Sequence, residues 1–284
     1  MKMQQKHPIK WRNTCDPFRL PYHSFQLNTV LGYPHAGNDV FHVQGVYHGK
    51  SITAYVKVAR QQSASIENEV AILSQLDGAV FPKIIDFDYD TIPFSVSMEM
   101  PGIRLSSIVG ENEDMCSLSF MEEYGEALSK LHKLEPNAPQ QADRRFFHCP
   151  SADMLEKLQL PYLSDYFQKP PSTHETVFCH GDFHYANVLW DRSHISAILD
   201  FELVGYGDRD FDIAWALFLR PGQKFLKSSH ECSEFLKGYG KHGAYESEAV
   251  KYYMAQCYVH FLSFCGDDTE YCEYVRSWLL DHCT

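Results

Sequence analysis

The chain has 284 residues and a formal net charge of −12, enough length for one large or two modest domains with a proper core. The charge argues against a nucleic-acid partner, whose binding rests on neutralising phosphates with Lys and Arg. No apolar run reaches the length of a membrane span, and nine scattered cysteines without a C-x-x-C pair read, with no apolar secretion signal, as reduced thiols in a cytoplasmic protein.

Residues up to about Asn28 read as a lead-in. Val40, Phe41, Val43, Val46 and Tyr47 then suggest β-structure, punctuated by Gly32, Gly37 and Asn38. After a turn at Tyr47–Lys50, residues Ile52, Ala54, Val56 and Val58 alternate onto one face, leaving Thr53, Tyr55 and Lys57 on the other. Ile66, Val70, Leu73 and Leu76 fall at helical spacing within 64–76, a stretch that also carries Glu67 and Glu69. A turn and strand follow in F-P-K-I-I-D-F-D. Phe94, Val96, Met98 and Met100 then alternate until Pro101-Gly102 ends the run.

From Leu118 the character becomes helical. Phe120, Tyr124, Ala127, Leu128, Leu131 and Leu134 lie on one stripe. Residues 135–150 are polar and read as a loop. Residues 151–168 read as one or two helices broken at Pro161, and 213–225 as another. Residues 247–265 are apolar nearly all round, which predicts a buried helix ended by Gly266. The last helix opens on D-D-T-E, with acids at its N-terminus. Cys257, Cys265 and Cys272 are spaced for helix faces, not for zinc.

The densest chemistry lies between His180 and Asp212: H-G-D-F-H-Y-A-N, then I-L-D-F-E, then G-D-R-D-F-D. Short apolar segments precede Asp182 and Asp200 as strands. Asp182, Asn187 and Asp200 therefore sit at strand ends and on the loop between, oxygen donors suited to a hard divalent cation such as Mg²⁺, with one carboxylate left to accept a proton. Asp208 and Asp210 are placed to cap a following helix. A competing reading makes His180, Asp182 and His184, with His194, the ligands of a transition-metal hydrolase.

The stretch resembles the catalytic and metal loops of the aminoglycoside phosphotransferase and choline kinase group, protein-kinase-like phosphotransferases in which H-G-D-x-x-x-x-N replaces H-R-D-x-x-x-x-N. The resemblance implies an α+β fold of two lobes. Residues 1–100 would form an antiparallel-sheet, nucleotide-binding lobe, and residues 101–284 a mainly helical catalytic and substrate-binding lobe. It makes Lys57 the phosphate-holding lysine and Glu69 its ion-pair partner, with Glu67 the runner-up. Gly37 and Asn38 would lie on the loop over the phosphates. Glu99 and Met100 would meet the purine edge; Pro101 has no N–H to donate, so GTP stands beside ATP as the donor. Asp182 becomes the catalytic base, and Asn187 and Asp200 the Mg²⁺ ligands, with Glu202 near a second metal. His180 and Asp212 support the loop, Asp212 by bonding its backbone, and His132 is a packed or capping histidine. The implied reaction is transfer of the γ-phosphoryl group to a hydroxyl of a small, cationic molecule. An aminoglycoside is the foremost acceptor, ahead of choline, homoserine, a ketoamine or a macrolide, and Asp267, Asp268, Glu270 and Glu273 would hold its ammonium groups. A nucleotide-binding module without catalysis is the alternative of another class.

Overall fold

Residues that alternate between apolar and polar build the first part of the chain. The computed structural model describes residues 15–34, 37–60, 65–172, 175–264 and 268–283. In it β1 (Phe25–Gly32), β2 (Asp39–Tyr47), β3 (Lys50–Val58), β4 (Ile84–Asp88) and β5 (Phe94–Met98) form an antiparallel sheet in the order β1-β2-β3-β5-β4. Phe41, Val43, Ala54, Val56, Val58, Phe94 and Val96 gather in one apolar cluster, as a period of two requires when one face is buried. β1 begins at Phe25, inside the expected lead-in. The reason is long-range: the Asp86 carboxylate accepts the N–H groups of His23, Ser24 and Phe25 at 2.9, 2.8 and 2.8 Å, and the Phe25 ring is buried. The helix α1 (Ile66–Leu73) buries Ile66, Glu69, Val70, Ile72 and Leu73. These elements belong to a compact unit made of residues up to Asp77 together with Phe81–Met100.

The second unit comprises Gly78–Val80 and the chain from Pro101 onward. Its elements are β6 (Ile103–Arg104), α2 (Leu105–Val109), α3 (Leu118–Leu131), α4 (Ala152–Lys157), α5 (Ser164–Phe167), β7 (Thr176–Cys179), β8 (Val188–Asp191), β9 (His194–Ile198), β10 (Gly205–Asp208), α6 (Arg209–Leu217), α7 (Ser229–Tyr239), α8 (Ser247–Leu262) and α9 (Thr269–His282). β6, β8 and β9 form one small sheet, and β7 and β10 pair antiparallel in another. α3 and α7 pack at unusually close range, because a Cβ at Gly238 would collide with the Glu122 backbone and one at Gly125 with that of Phe235. α8 is buried along almost its whole length. Among the described residues no helix is long and apolar enough to cross a membrane, and every cysteine is a free thiol.

Other elements also differ from the sequence expectation. The helix expected over 213–225 runs instead over Arg209–Leu217. Asp208 starts it early by accepting the N–H groups of Asp210 and Phe211, and Phe218 turns extended at its end. α7 was not expected, although its capping box is legible: Ser228 accepts the Glu231 N–H while the Glu231 carboxylate accepts that of Ser228.

Candidate active site

In the first unit Lys57 is on β3, on the face opposite Val56 and Val58, and its Nζ lies 2.7 Å from Glu69 Oε2 on α1. Both side chains are largely buried, at 15% and 8% exposed, so this ion pair is screened far less than a surface one. Ser95, opposite Lys57 on β5, approaches the other Glu69 oxygen at 3.4 Å. Glu69, not Glu67, is thus the partner of Lys57. Gly37 adopts φ +97 with open space where a Cβ would be, a backbone state that costs other residues strain. The Asn38 carboxamide oxygen accepts the Arg60 N–H at 3.2 Å, which ties the start of β2 to the end of β3. Glu99 gives its N–H to the Thr53 carbonyl at 3.2 Å, so that N–H is already committed. Its carboxylate lies 3.0 Å from His42 Nε2. Met100 follows directly, partly buried.

In the second unit β7 delivers the chain into His180–Asn187, and β9 delivers it to Asp200. The two loops are stitched together where the Leu199 N–H donates to the Asn187 carbonyl at 2.7 Å. Asn187 Nδ2 donates to the Asp182 carbonyl at 3.0 Å and to Asp182 Oδ2 at 3.2 Å, which leaves the amide oxygen as its remaining polar atom. Asp200 takes a left-handed backbone, φ 67, a conformation that persists in non-glycine residues where the surroundings enforce it. A carboxylate oxygen of Glu202 comes within 4.8 Å of one from Asp200. These two converging carboxylates are hard oxygen donors of the kind Mg²⁺ prefers.

Asp182 is held on both oxygens. The Trp215 indole N–H donates to Oδ1 at 2.7 Å. Oδ2 receives the Asn187 contact and has His184 Nε2 at 3.5 Å. Burial pushes the Asp182 carboxyl up, but His184, the Arg220 guanidinium and the Trp215 N–H outweigh it and hold it at about 2. The group therefore stays ionised at any ordinary pH.

His180 is fully committed: its Nε2 faces the Leu199 carbonyl at 3.1 Å and its Nδ1 accepts the Asp182 N–H at 3.3 Å. Burial lowers its pKa, so the ring is neutral. It has no lone pair left for a metal, and His194 is engaged elsewhere, with Glu123 at 2.9 Å. The metallohydrolase reading fails on both counts. Asp212, on α6, accepts the N–H groups of His180 and Gly181, each at 2.9 Å. Its Oδ2 also meets His132 Nε2 at 3.1 Å, and His132 Nδ1 in turn meets the Tyr239 hydroxyl at 2.7 Å. Burial pushes the Asp212 carboxyl up, but the His132 contact and the nearby imidazoles keep it below its usual range.

Of the acids expected to hold an acceptor, Asp267 lies outside the described residues. Asp268 caps α9 by accepting the Tyr271 N–H at 3.1 Å, Glu270 sits 3.3 Å from Lys227, and Glu273 is exposed on α9. Three residues at the site went unseen in the sequence: Trp215, Arg144 and Arg220. Arg144 donates to the Gly181 carbonyl at 2.7 Å from the polar stretch read as a plain loop. That stretch is a strap. Pro139 accepts the Tyr206 N–H at 2.8 Å, Gln141 returns its own N–H to the Tyr206 carbonyl at 3.0 Å, and the Gln141 amide reaches Leu203 at 3.3 Å. Arg220, buried, donates to the Trp215 and Phe218 carbonyls. Only Trp215 left a signal, an indole one helical turn after Asp212.

A model of the phosphotransferase enzyme family, APH, matches residues 30–249. The chain belongs to this family. No curated protein matches it in sequence. Among solved structures, this phosphotransferase is similar to the crystal structure of aminoglycoside phosphotransferase APH(4)-Ia, with a TM-score of 0.63 and 13% identity over 91% of this chain and 95% of that one. It is also similar to a Plasmodium vivax ethanolamine kinase, with 0.52 and 17% over 93% and 82%. The macrolide 2′-phosphotransferase MphH from Brachybacterium faecium gives 0.51 and 15% over 90% and 92%. The fold is protein-kinase-like, α+β, and the family makes the chain a small-molecule phosphotransferase.

Proposed function

We propose that the chain transfers the γ-phosphoryl group of ATP or GTP to a hydroxyl of a small molecule, with Asp182 orienting that hydroxyl. The observation that carries this reading is the state of Asp182: an ionised carboxylate gripped at Oδ1 by Trp215 and at Oδ2 by Asn187. Phosphoryl transfer asks a protein for positioning and charge more than for covalent chemistry, and a carboxylate fixed at both oxygens provides both. Asn187 and Asp200 would hold Mg²⁺, with Glu202 beside them; bound there, the ion would neutralise charge on the phosphates. Lys57, steadied by Glu69, would hold the α- and β-phosphates. Gly37 and Asn38 would border the phosphates, and Glu99 and Met100 the purine. A solved relative was captured in a ternary complex with AMP-PNP and hygromycin B, which supports a nucleotide donor. An aminoglycoside is the acceptor that the resemblance implies. Here, however, Asp268 caps α9 and Glu270 pairs with Lys227, which leaves the exposed Glu273 and the acidic net charge in favour of an amine-bearing acceptor.

The test is nucleotide consumption in a coupled assay with Mg²⁺ and ATP or GTP over a panel of aminoglycosides, macrolides, choline, homoserine and ketoamines. Asp182→Ala should lower kcat by about 10²–10⁴-fold, the range for losing a general base. A loss of tenfold or less would remove Asp182 from the reaction.

A further inference from the structure

We propose that the acceptor is a planar alcohol bearing an anionic group, a carboxylate or a phosphate, and that Arg145, Phe146 and Phe264 recognise it. The proposal rests on Asp182 being the acceptor-side group of a phosphotransfer site.

A run of rings leads outward from the Asp182 carboxylate. It begins with Trp215, whose N–H holds Oδ1. Phe146 meets the indole edge-on at 5.1 Å between centroids. Phe261 lies 5.6 Å from Phe146, and Phe264 lies 4.7 Å from Phe261. Phe264 is 46% exposed, although a large aromatic ring is normally covered. All four rings belong to one unit, so their spacing does not depend on how the units are arranged. A wall of rings beside a hydroxyl-orienting carboxylate suits one of two ligands, a planar ring that stacks or a cation that sits on the ring faces.

A second cation is disfavoured by charge repulsion, because one already stands among these rings. The Arg145 guanidinium lies 4.7 Å from the Phe146 centroid and 4.6 Å from that of Phe264. Deeper in, Arg144 and Arg220 each lie 5.2 Å from the Trp215 ring. Among the described residues none of the three arginines has a carboxylate within ion-pair distance. Arg144 is bonded to the Gly181 carbonyl, and Arg220 to the carbonyls of Trp215 and Phe218. The neighbouring Asp143 is taken by His148 at 2.9 Å. Arg144 is half-buried and Arg220 buried, and both offset the charge of Asp182. Arg145 is exposed, and its planar fork matches a carboxylate or phosphate. Among the described residues the wall thus ends in an uncompensated cation, where a polyamine would meet repulsion.

Three matched probes test this on the full chain: 6-(hydroxymethyl)-2-naphthoate, its neutral carboxamide, and the trimethylammonium analogue on the same ring. Each is titrated by its own fluorescence and then offered as acceptor with Mg²⁺ and ATP or GTP. The naphthoate should bind at least tenfold more tightly than the other two. Arg145→Glu should weaken the naphthoate at least tenfold and change the carboxamide less than twofold, whereas Phe264→Ser should weaken both. An ammonium probe that binds as well as the naphthoate, an Arg145→Glu variant without effect, or no naphthoate binding at millimolar concentration would each overturn the proposal. Binding does not depend on transfer. Absent naphthoate binding alongside Asp182-dependent turnover of another acceptor would sink this inference alone, and turnover indifferent to Asp182 would sink the reading beneath it.

Discussion

Trp215→Phe isolates a single hydrogen bond at the site. The substitution keeps an aromatic ring on α6 but removes the N–H that lies 2.7 Å from Asp182 Oδ1. The bond is short, its acceptor is charged, and Trp215 is only 5% exposed, so water cannot readily replace it. A hydrogen bond to a charged group is worth about 1.5–3 kcal/mol, and each ~1.4 kcal/mol is tenfold in rate. If the bond is needed to aim Asp182, kcat should fall by roughly 10–150-fold while the nucleotide KM stays within about twofold. The same N–H is one of the groups holding the Asp182 pKa near 2. Its loss should raise that pKa. The smaller ring leaves space beside Phe211, and unfolding in urea should show a stability loss of about 1–3 kcal/mol. The assay is coupled nucleotide turnover between pH 4 and 8, with circular dichroism confirming a folded variant. A folded variant with kcat within threefold of wild type would refute the role given to Trp215.

Lys57→Ala should raise the nucleotide KM and lower kcat, because it removes the cation that Glu69 positions; unchanged values for both would reject the assignment. Gly181→Ala should destabilise the chain by at least about 1–2 kcal/mol from the left-handed backbone alone, since Gly181 has φ +80 and a Cβ there would press on the Leu203 carbonyl; a urea midpoint equal to wild type would contradict that crowding. Acid should destabilise in two stages. His180 and His260 have pKa values lowered by burial, so the unfolded chain binds more protons than the folded one as pH falls through 6.5, and stability drops there. Asp182 and Asp212 are also lowered; the stability they add is present above the ordinary carboxylate value of 3.8 and is lost below it. Urea midpoints that stay flat from pH 7 to 5 would rule out the histidine contribution.

Asp182, Asn187 and Asp200 were readable because their relation is local. Five residues separate the first two, and one small strand pair carries the chain to the third. Lys57 and Glu69 were paired through the family resemblance, which maps them onto a strand followed closely by a helix. Arg144 was not, since nothing in a polar loop says that its arginine reaches Gly181, 37 residues further on. Arg220 had no signal either, being a charge buried against carbonyls where an apolar residue is the norm. The end of α6 was misjudged because apolar residues continue through Phe218 and Leu219, and sequence pattern cannot tell a buried extended stretch from another helical turn. The acids of the last helix misled in the opposite way. Asp268 and Glu270 suggested a cation site by their charge, but a carboxylate at a helix N-terminus is also what capping requires, and Asp268 does that work.

Asp212 belongs to α6, its His132 partner to the end of α3, and the Tyr239 beyond to α7. The backbone amides of His180 and Gly181 thus end in a buried chain of bonds that spans three helices. Loops usually open at small cost, well before the core does. This one is fastened to the core by the two amides that immediately precede Asp182. Its local opening should therefore approach the cost of unfolding the whole helical unit, and mild heat or denaturant that only loosens surface loops should leave Asp182 in place.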